Sequence, residues 1–205
     1  TRMAELGARH GFQVCVHAIG DRANREVLDI YEKVWANRHN GPALRWRIEH
    51  VQHLHRDDIP RFAQMGVIAS MQGVHCTSDA PYVPPRLGEH RAEEGAYVWQ
   101  KLLKSGAVVT NGTDAPVEDV DPLASYYASV TRKGKSGVAF YPDQAMSRME
   151  ALYSYTMACA YAAFEEDSKG SLTPGKLADI VILSKDILTV PEAEILETQV
   201  LYTIV

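Results

Sequence analysis

Apolar and polar positions along this chain change period repeatedly, from two to about three and a half and back. Phe12-Gln-Val-Cys-Val-His-Ala-Ile19 is a β-branched apolar run that stops at Gly20-Asp21, and it predicts a strand. Residues 22–37 then carry Ala23, Val27, Ile30, Tyr31 and Val34 at helical spacing, with Asn40-Gly41-Pro42 as the stop. Leu44-Arg-Trp-Arg-Ile-Glu-His-Val51 alternates and predicts a second strand, and His55 to Met65 a short helix closed by Gly66. Val67 to Met71 predicts a third strand. Ala107 to Thr110 predicts a fourth, running into Asn111-Gly-Thr-Asp-Ala-Pro116. A long Pro- and Gly-rich connection separates those two strands, followed by a helix over 91–105. Two further helices are predicted over 122–132 and 147–163. Leu177 to Leu183 and Leu196 to Val205 predict a strand pair at the end. Strand and helix alternating at this rhythm predict an α/β fold of parallel βαβ units.

Composition narrows the class. The chain has 205 residues, 46% hydrophobic and 23% charged, as in an ordinary soluble protein rather than a disordered or fibrous one. Lys plus Arg number 21 against 26 Asp plus Glu, a formal charge of -5. That mild acidity, without a basic run, predicts no nucleic-acid partner. No apolar stretch approaches the roughly 20 residues of a membrane span, so no membrane partner is expected. Cys15, Cys76 and Cys159 are widely spaced and odd in number; they predict no disulfide framework and suit a reducing, cytoplasmic setting. The chain begins at Thr1 and ends within the β-prone run Val200 to Val205, which leads us to expect a piece of a longer protein.

Chemistry is sought at the C-terminal ends of the strands, where parallel α/β sheets and barrels place ligands. His17 closes the first strand and His50 the second; His75 lies just beyond the third, and Asp114 follows the fourth. Two imidazoles and a carboxylate form a donor set that suits Zn²⁺ and similar divalent ions. Strand parity places Cys15, His17 and Ile19 on one face, and Ile48, His50 and Gln52 on one face, without saying which face is inner. Ordinary readings stand beside this one. A strand-end histidine is more often structural than a ligand, and Asp114 is equally readable as an Asx-turn residue. His53 and His55 follow His50 closely, so either one of the three or all of them read as bystanders. Asp21 reads as a helix N-cap, and the Asp57-Asp58 pair as a solvated helix start.

Val16-His-Ala-Ile-Gly-Asp-Arg22, Ile48-Glu-His-Val-Gln-His53, Ile68-Ala-Ser-Met-Gln72 with His75, and Asn111-Gly-Thr-Asp-Ala-Pro116 resemble successive motifs of the amidohydrolase superfamily. The branch resembled is amidohydrolase-3, which includes N-substituted formamide deformylase-like proteins. The tail Gly170 to Leu183 resembles the segment by which such enzymes return to a small β-sandwich. The likeness spans essentially the entire chain, in order.

The resemblance implies a metal-dependent hydrolase of the TIM-barrel type with one or two divalent ions, zinc first among them. It implies that His17, His50 and Asp114 are metal ligands of strands 5, 6 and 8. Asp114 would also be the catalytic base and acid, while His75, Gln52 and Gln72 would bind substrate. Asp21 and Arg22 are read as orienting groups or as plain helix-start residues. The substrate would be a small molecule with an amide, formamide or cyclic amide C–N bond. Residues 1–169 would then hold strands 5–8 of the barrel, its second half, and 170–205 the C-terminal strands of the sandwich. The His-x-His pair of strand 1 and the strand 4 ligand do not occur here, and 205 residues is short of the roughly 250 of a complete barrel. The isolated chain is therefore expected to turn over weakly or not at all. A non-catalytic binding or regulatory relative is the alternative, as is a half that pairs with a second copy into a homodimer.

Overall fold

The computed structural model describes residues 1–36 and 41–205, so Asn40, part of the expected helix stop, lies outside the described residues. In chain order the elements begin α1 (Arg2–His10), β1 (Cys15–Ala18), α2 (Asp21–Trp35), β2 (Arg47–His50), α3 (Ile59–Met65) and β3 (Ile68–Gln72). Four short helices follow, α4 (Gly73–Asp79), α5 (Val83–Leu87), α6 (Glu89–Gly95) and α7 (Trp99–Ser105), then β4 (Val109–Gly112). The rest is α8 (Pro122–Thr131), α9 (Arg148–Tyr155), α10 (Met157–Ala162), β5 (Ile180–Leu183), α11 (Glu192–Ile195) and β6 (Val200–Ile204). Two units emerge: Thr1–Met71 with Asp79–Val109, and Gln72–Ser78 with Thr110–Val205.

In the first unit β1, β2 and β3 pair in parallel and in sequence order. The Ala69 N–H donates to the Val108 carbonyl at 2.9 Å, so the chain enters β4 beside β3. The register pairs Val16 with Ile48, Ile48 with Ala69, and Ala18 with His50. Partners in a parallel pair share a face, and on this one Ala18, Ile48 and Ala69 are buried. The opposite face carries Cys15, His17, Arg47, Glu49 and Ser70, with an Arg47–Glu49 ion pair at 2.6 Å. One side of the sheet is therefore core, and the other is mostly polar, with Ile68 buried beside Arg47.

Helix α2 buries Val27, Leu28, Tyr31, Val34 and Trp35, the i, i+3, i+4 stripe of an amphipathic helix. Tyr31 meets Trp46 edge to face at 4.7 Å, and Trp35 lies 5.1 Å from the same ring. Each large side chain fully buried in this way contributes about 1.5–3 kcal/mol. The Tyr31 hydroxyl reaches the carbonyls of Val14 and Arg47 at 3.2 and 3.1 Å, which satisfies the polar tip of that ring, whereas Trp35 Nε1 is buried without a hydrogen-bond partner among the described residues.

Several boundaries differ from the sequence reading. Helix α2 is capped by Gly20, so Asp21 is its first residue and not its cap; the Asp21 carboxylate accepts from the Arg22 N–H and from Arg91. The buried polar residue of that helix is Asn24, whose amide donates to the carbonyls of Ala18, Gly20 and His53 at 3.0–3.2 Å. Asp58 is buried rather than solvated, because Arg25 and Arg61 both bond its carboxylate. The helix expected over 91–105 divides into α6 and α7, since the Tyr97 N–H is taken by the Gln52 carbonyl and Tyr97 adopts φ 51°. The long connection after β3 is largely helical.

In the second unit β5 and β6 pair antiparallel, as the terminal apolar runs predict, over Ile180–Leu183 and Val200–Ile204. The helix expected over 147–163 breaks at Thr156, where φ is −117° and ψ −89° and the Thr156 hydroxyl donates to the Leu152 carbonyl. Ser147 and Glu150 close a capping box at the start of α9. Arg148 donates to the carbonyls of Ile187 and Val190 at 2.8 and 2.6 Å, tying α9 to the segment before α11. Cys15, Cys76 and Cys159 form no disulfide with one another, and no described helix is long and apolar enough to cross a membrane.

Candidate active site

In the first unit, pleat alternation alone would separate His17 from His50. The register sets Glu49 beside His17 and Ala18 beside His50. His50 nevertheless brings its ring to 4.5 Å from that of His17, in an edge-to-face arrangement. The backbone explains this: His50 has φ 79° and Val51 φ 49°, so the chain leaves the β conformation at the strand's last residue. Positive φ is costly for a β-branched residue such as Val51, of order 1–3 kcal/mol, and such outliers persist where surrounding structure over-determines them. Burial of Val51 and its N–H bond to the Ala18 carbonyl at 3.1 Å supply that support.

The residues that follow are locked. The Gln52 side-chain amide donates to the Asp79 carboxylate at 2.9 Å and to the Tyr97 hydroxyl, and that hydroxyl donates to Asp79 at 2.6 Å. Gln52 is thus a buried member of a wall. His53 packs edge to face with Tyr97 at 5.8 Å, and its buried Nδ1 has no hydrogen-bond partner among the described residues. Burial lowers its pKa, partly opposed by the nearby charges of Asp79 and Asp21. His55 caps the turn Arg56–Asp58 by accepting from the Asp57 N–H, and it also meets Arg25 at 3.1 Å. Arg22 pairs with Glu26 and Asp21 with Arg91, both at the surface.

In the second unit His75 sits in α4, buried, directly after β3 and Gln72. Gln72 is buried as well. The start of α4 is fixed to β4: the Asn111 carboxamide oxygen accepts from the Gly73 N–H at 2.9 Å, and its nitrogen donates to the Ser129 hydroxyl at 2.8 Å. A side chain at Gly73 would collide with Ser125 and Ser129, so the close approach requires glycine. His75 Nε2 lies 3.3 Å from the Asp114 carboxylate and Nδ1 lies 3.1 Å from that of Glu118. Asp114 follows β4 and holds φ 58°, a second strand-end residue in the left-handed region. The structure therefore joins His17 with His50, and His75 with Asp114. Glu118 was absent from the sequence reading, because a carboxylate in Val117-Glu-Asp-Val120 looks like any polar loop residue.

The amidohydrolase family model matches residues 1–205. The chain belongs to the amidohydrolase family. It is 44% identical over 178 residues to Protein LONG AFTER FAR-RED 3 of Arabidopsis thaliana, covering 86% of this chain and 30% of that protein. N-substituted formamide deformylase of Arthrobacter pascens is 27% identical over 204 residues, or 99% of this chain and 37% of its own length. Among solved structures, an uncharacterized metal-dependent hydrolase from Pyrococcus horikoshii superposes with a TM-score of 0.80 at 34% identity, covering 94% of this chain and 38% of that one. This amidohydrolase-family chain spans about a third of the length of the curated relatives it matches. Its α/β fold with a parallel sheet is the one seen in that hydrolase.

Proposed function

We propose that this chain contributes part of the active site of a metal-dependent amidohydrolase that cleaves C–N bonds of amides, formamides or cyclic amides in small molecules. The observation that carries this reading is the His17–His50 imidazole pair, built on adjacent parallel strand ends by a left-handed backbone at His50. Two neighbouring imidazoles are borderline donors and fit Zn²⁺, and the carboxylate of Asp114, also displayed by left-handed backbone, is the harder donor such sites add. In this reading β1 to β4 are strands 5–8 of a barrel within residues 1–169, and residues 170–205 are the last strands of a small sandwich.

His17, His50 and Asp114 would hold the ion. A divalent ion there would supply Lewis acidity toward the substrate carbonyl and would lower the pKa of water toward about 7. Asp114 takes the proton of the attacking water and returns it to the departing nitrogen as the C–N bond breaks. His75, Gln72 and Gln52 bind the substrate, Gln52 as a fixed wall because its amide nitrogen is already engaged by Asp79 and Tyr97.

Zinc titration of the metal-free protein by calorimetry tests the ligand set. Stoichiometric binding that is lost in His50→Ala and in Asp114→Ala, with circular dichroism unchanged, is the expected result. Equal binding in all three proteins would refute it. Hydrolysis of N-substituted formamides, with the same two substitutions as controls, tests the reaction.

A further inference from the structure

Helix α2 turns a carboxamide inward at the strand ends. Asn24 is fully buried, and its Nδ2 lies 3.1, 3.3 and 3.0 Å from the carbonyl oxygens of Ala18, Ile19 and Gly20. The same nitrogen lies 3.2 Å from the carbonyl oxygen of His53. Only the nitrogen of a carboxamide donates, so four carbonyls converging on it fix which way the amide points and share its two hydrogens. Its Oδ1 is buried with no hydrogen-bond partner among the described residues. A buried acceptor left unmet is a cost, and it calls for a local reason.

Three of the four carbonyls already have backbone donors. Ala18 accepts from the Val51 N–H at 3.1 Å, Ile19 from the His53 N–H at 2.9 Å, and Gly20 from the Asn24 N–H at 3.0 Å. What the side chain adds is a tie from the end of β1 to the His53 carbonyl, 29 residues beyond Asn24. That tie closes just past His50 and Val51, whose left-handed backbone sets the His50 ring 4.5 Å from that of His17.

We propose that Asn24 is a positioning residue: its amide clamps the two strand ends together and so holds His50 and Val51 in the conformation that pairs the His17 and His50 rings. Strained backbone persists where its surroundings over-determine it, and here the Val51 N–H, the His53 N–H and the Asn24 amide bracket the strained pair. The consequence for the reaction rests on reading His17 and His50 as metal ligands. The clamp then sets the spacing of two donors before an ion arrives, and its loss should weaken zinc binding about tenfold, as for other groups that orient ligands.

Proton–proton Overhauser contacts between the His17 and His50 rings, in the isotope-labelled, metal-free full chain, test the clamp. The signals are assigned by their loss in His17→Asn and in His50→Asn. The wild type is expected to show the contact. Asn24→Leu keeps the branching of asparagine without a donor, and Asn24→Asp keeps its shape; both are expected to lose the contact. The Tyr31–Trp46 ring contact, 4.7 Å between centroids in the structure, should persist in both. Absence of the His17–His50 contact in the wild type, or its survival in either variant, would overturn the proposal. So would loss of the Tyr31–Trp46 contact, or failure of both variants to fold, since Asn24 would then serve the whole core. A wild type that shows the histidine contact and binds no zinc would sink the hydrolase reading and leave the clamp standing.

Discussion

Asp58 offers the sharpest test of how the segment after β2 is held. Its side chain is 2% exposed; Oδ2 accepts from Arg25 Nε at 2.8 Å and Oδ1 from Arg61 Nη1 at 3.0 Å. Arg25 also reaches His55 Nδ1 at 3.1 Å, so one cluster ties α2 to the turn that begins α3. Hydrogen bonds to charged groups contribute about 1.5–3 kcal/mol each, which sets an upper range of about 3–6 kcal/mol for removing both. The structure argues for less. Arg61 keeps Asp29 and Glu32, both at 2.8 Å, and the Arg25 side chain is 42% exposed and can be rehydrated. Asp58→Ala should therefore cost about 2–3 kcal/mol, below the roughly 3–5 expected when a fully buried pair is broken. Urea unfolding of the wild type, Asp58→Ala, Arg25→Ala and the double variant measures both the loss and the coupling. A loss under about 1 kcal/mol for Asp58→Ala, or no coupling between the two sites, would refute the reasoning.

Two further predictions concern the wall behind the strand end. Tyr97→Phe removes the hydroxyl that donates to Asp79 at 2.6 Å and accepts from Gln52, and should destabilise by about 1–3 kcal/mol in thermal unfolding; an unchanged midpoint would contradict it. His53 has a folded pKa depressed by burial, so the folded state binds fewer protons than the unfolded one. The stability this confers is complete above the unfolded value of about 6.5 and is lost as pH falls from there through the lower folded value. Asp21, also depressed, acts only in the more acidic window below about 3.9. Unfolding midpoints across pH 7 to 5 should therefore drop more steeply in the wild type than in His53→Asn; identical slopes would exclude His53 as the cause.

What the sequence made legible, and what it hid, follows from how local each cause is. The strands of the parallel sheet, the terminal antiparallel pair and the placing of His50 at the end of β2 all rest on short apolar runs that any window captures. The start of β4 does not. Ala107 and Val108 continue the apolar run, but the Ala107 N–H closes α7 by donating to the Leu102 carbonyl at 3.1 Å, and the strand begins only at Val109. The interruption between α6 and α7 is set by Gln52, forty-five residues away from Tyr97 in sequence, which no local pattern records. The same holds for Asp58, whose burial depends on an arginine from another helix.

The site shows the limit most clearly. Parity arguments treat a strand as a strict two-residue repeat, and under that rule His17 and His50 belong to opposite faces. They meet because His50 and Val51 depart from the rule at the strand's edge, and Asp114 departs from ordinary backbone in the same way after β4. Backbone of this kind costs energy that neither propensity nor periodicity favours. A reading of residue types can therefore name candidate donors, whereas the left-handed backbone at His50, Val51 and Asp114 is selected by the packed fold and no local pattern records it.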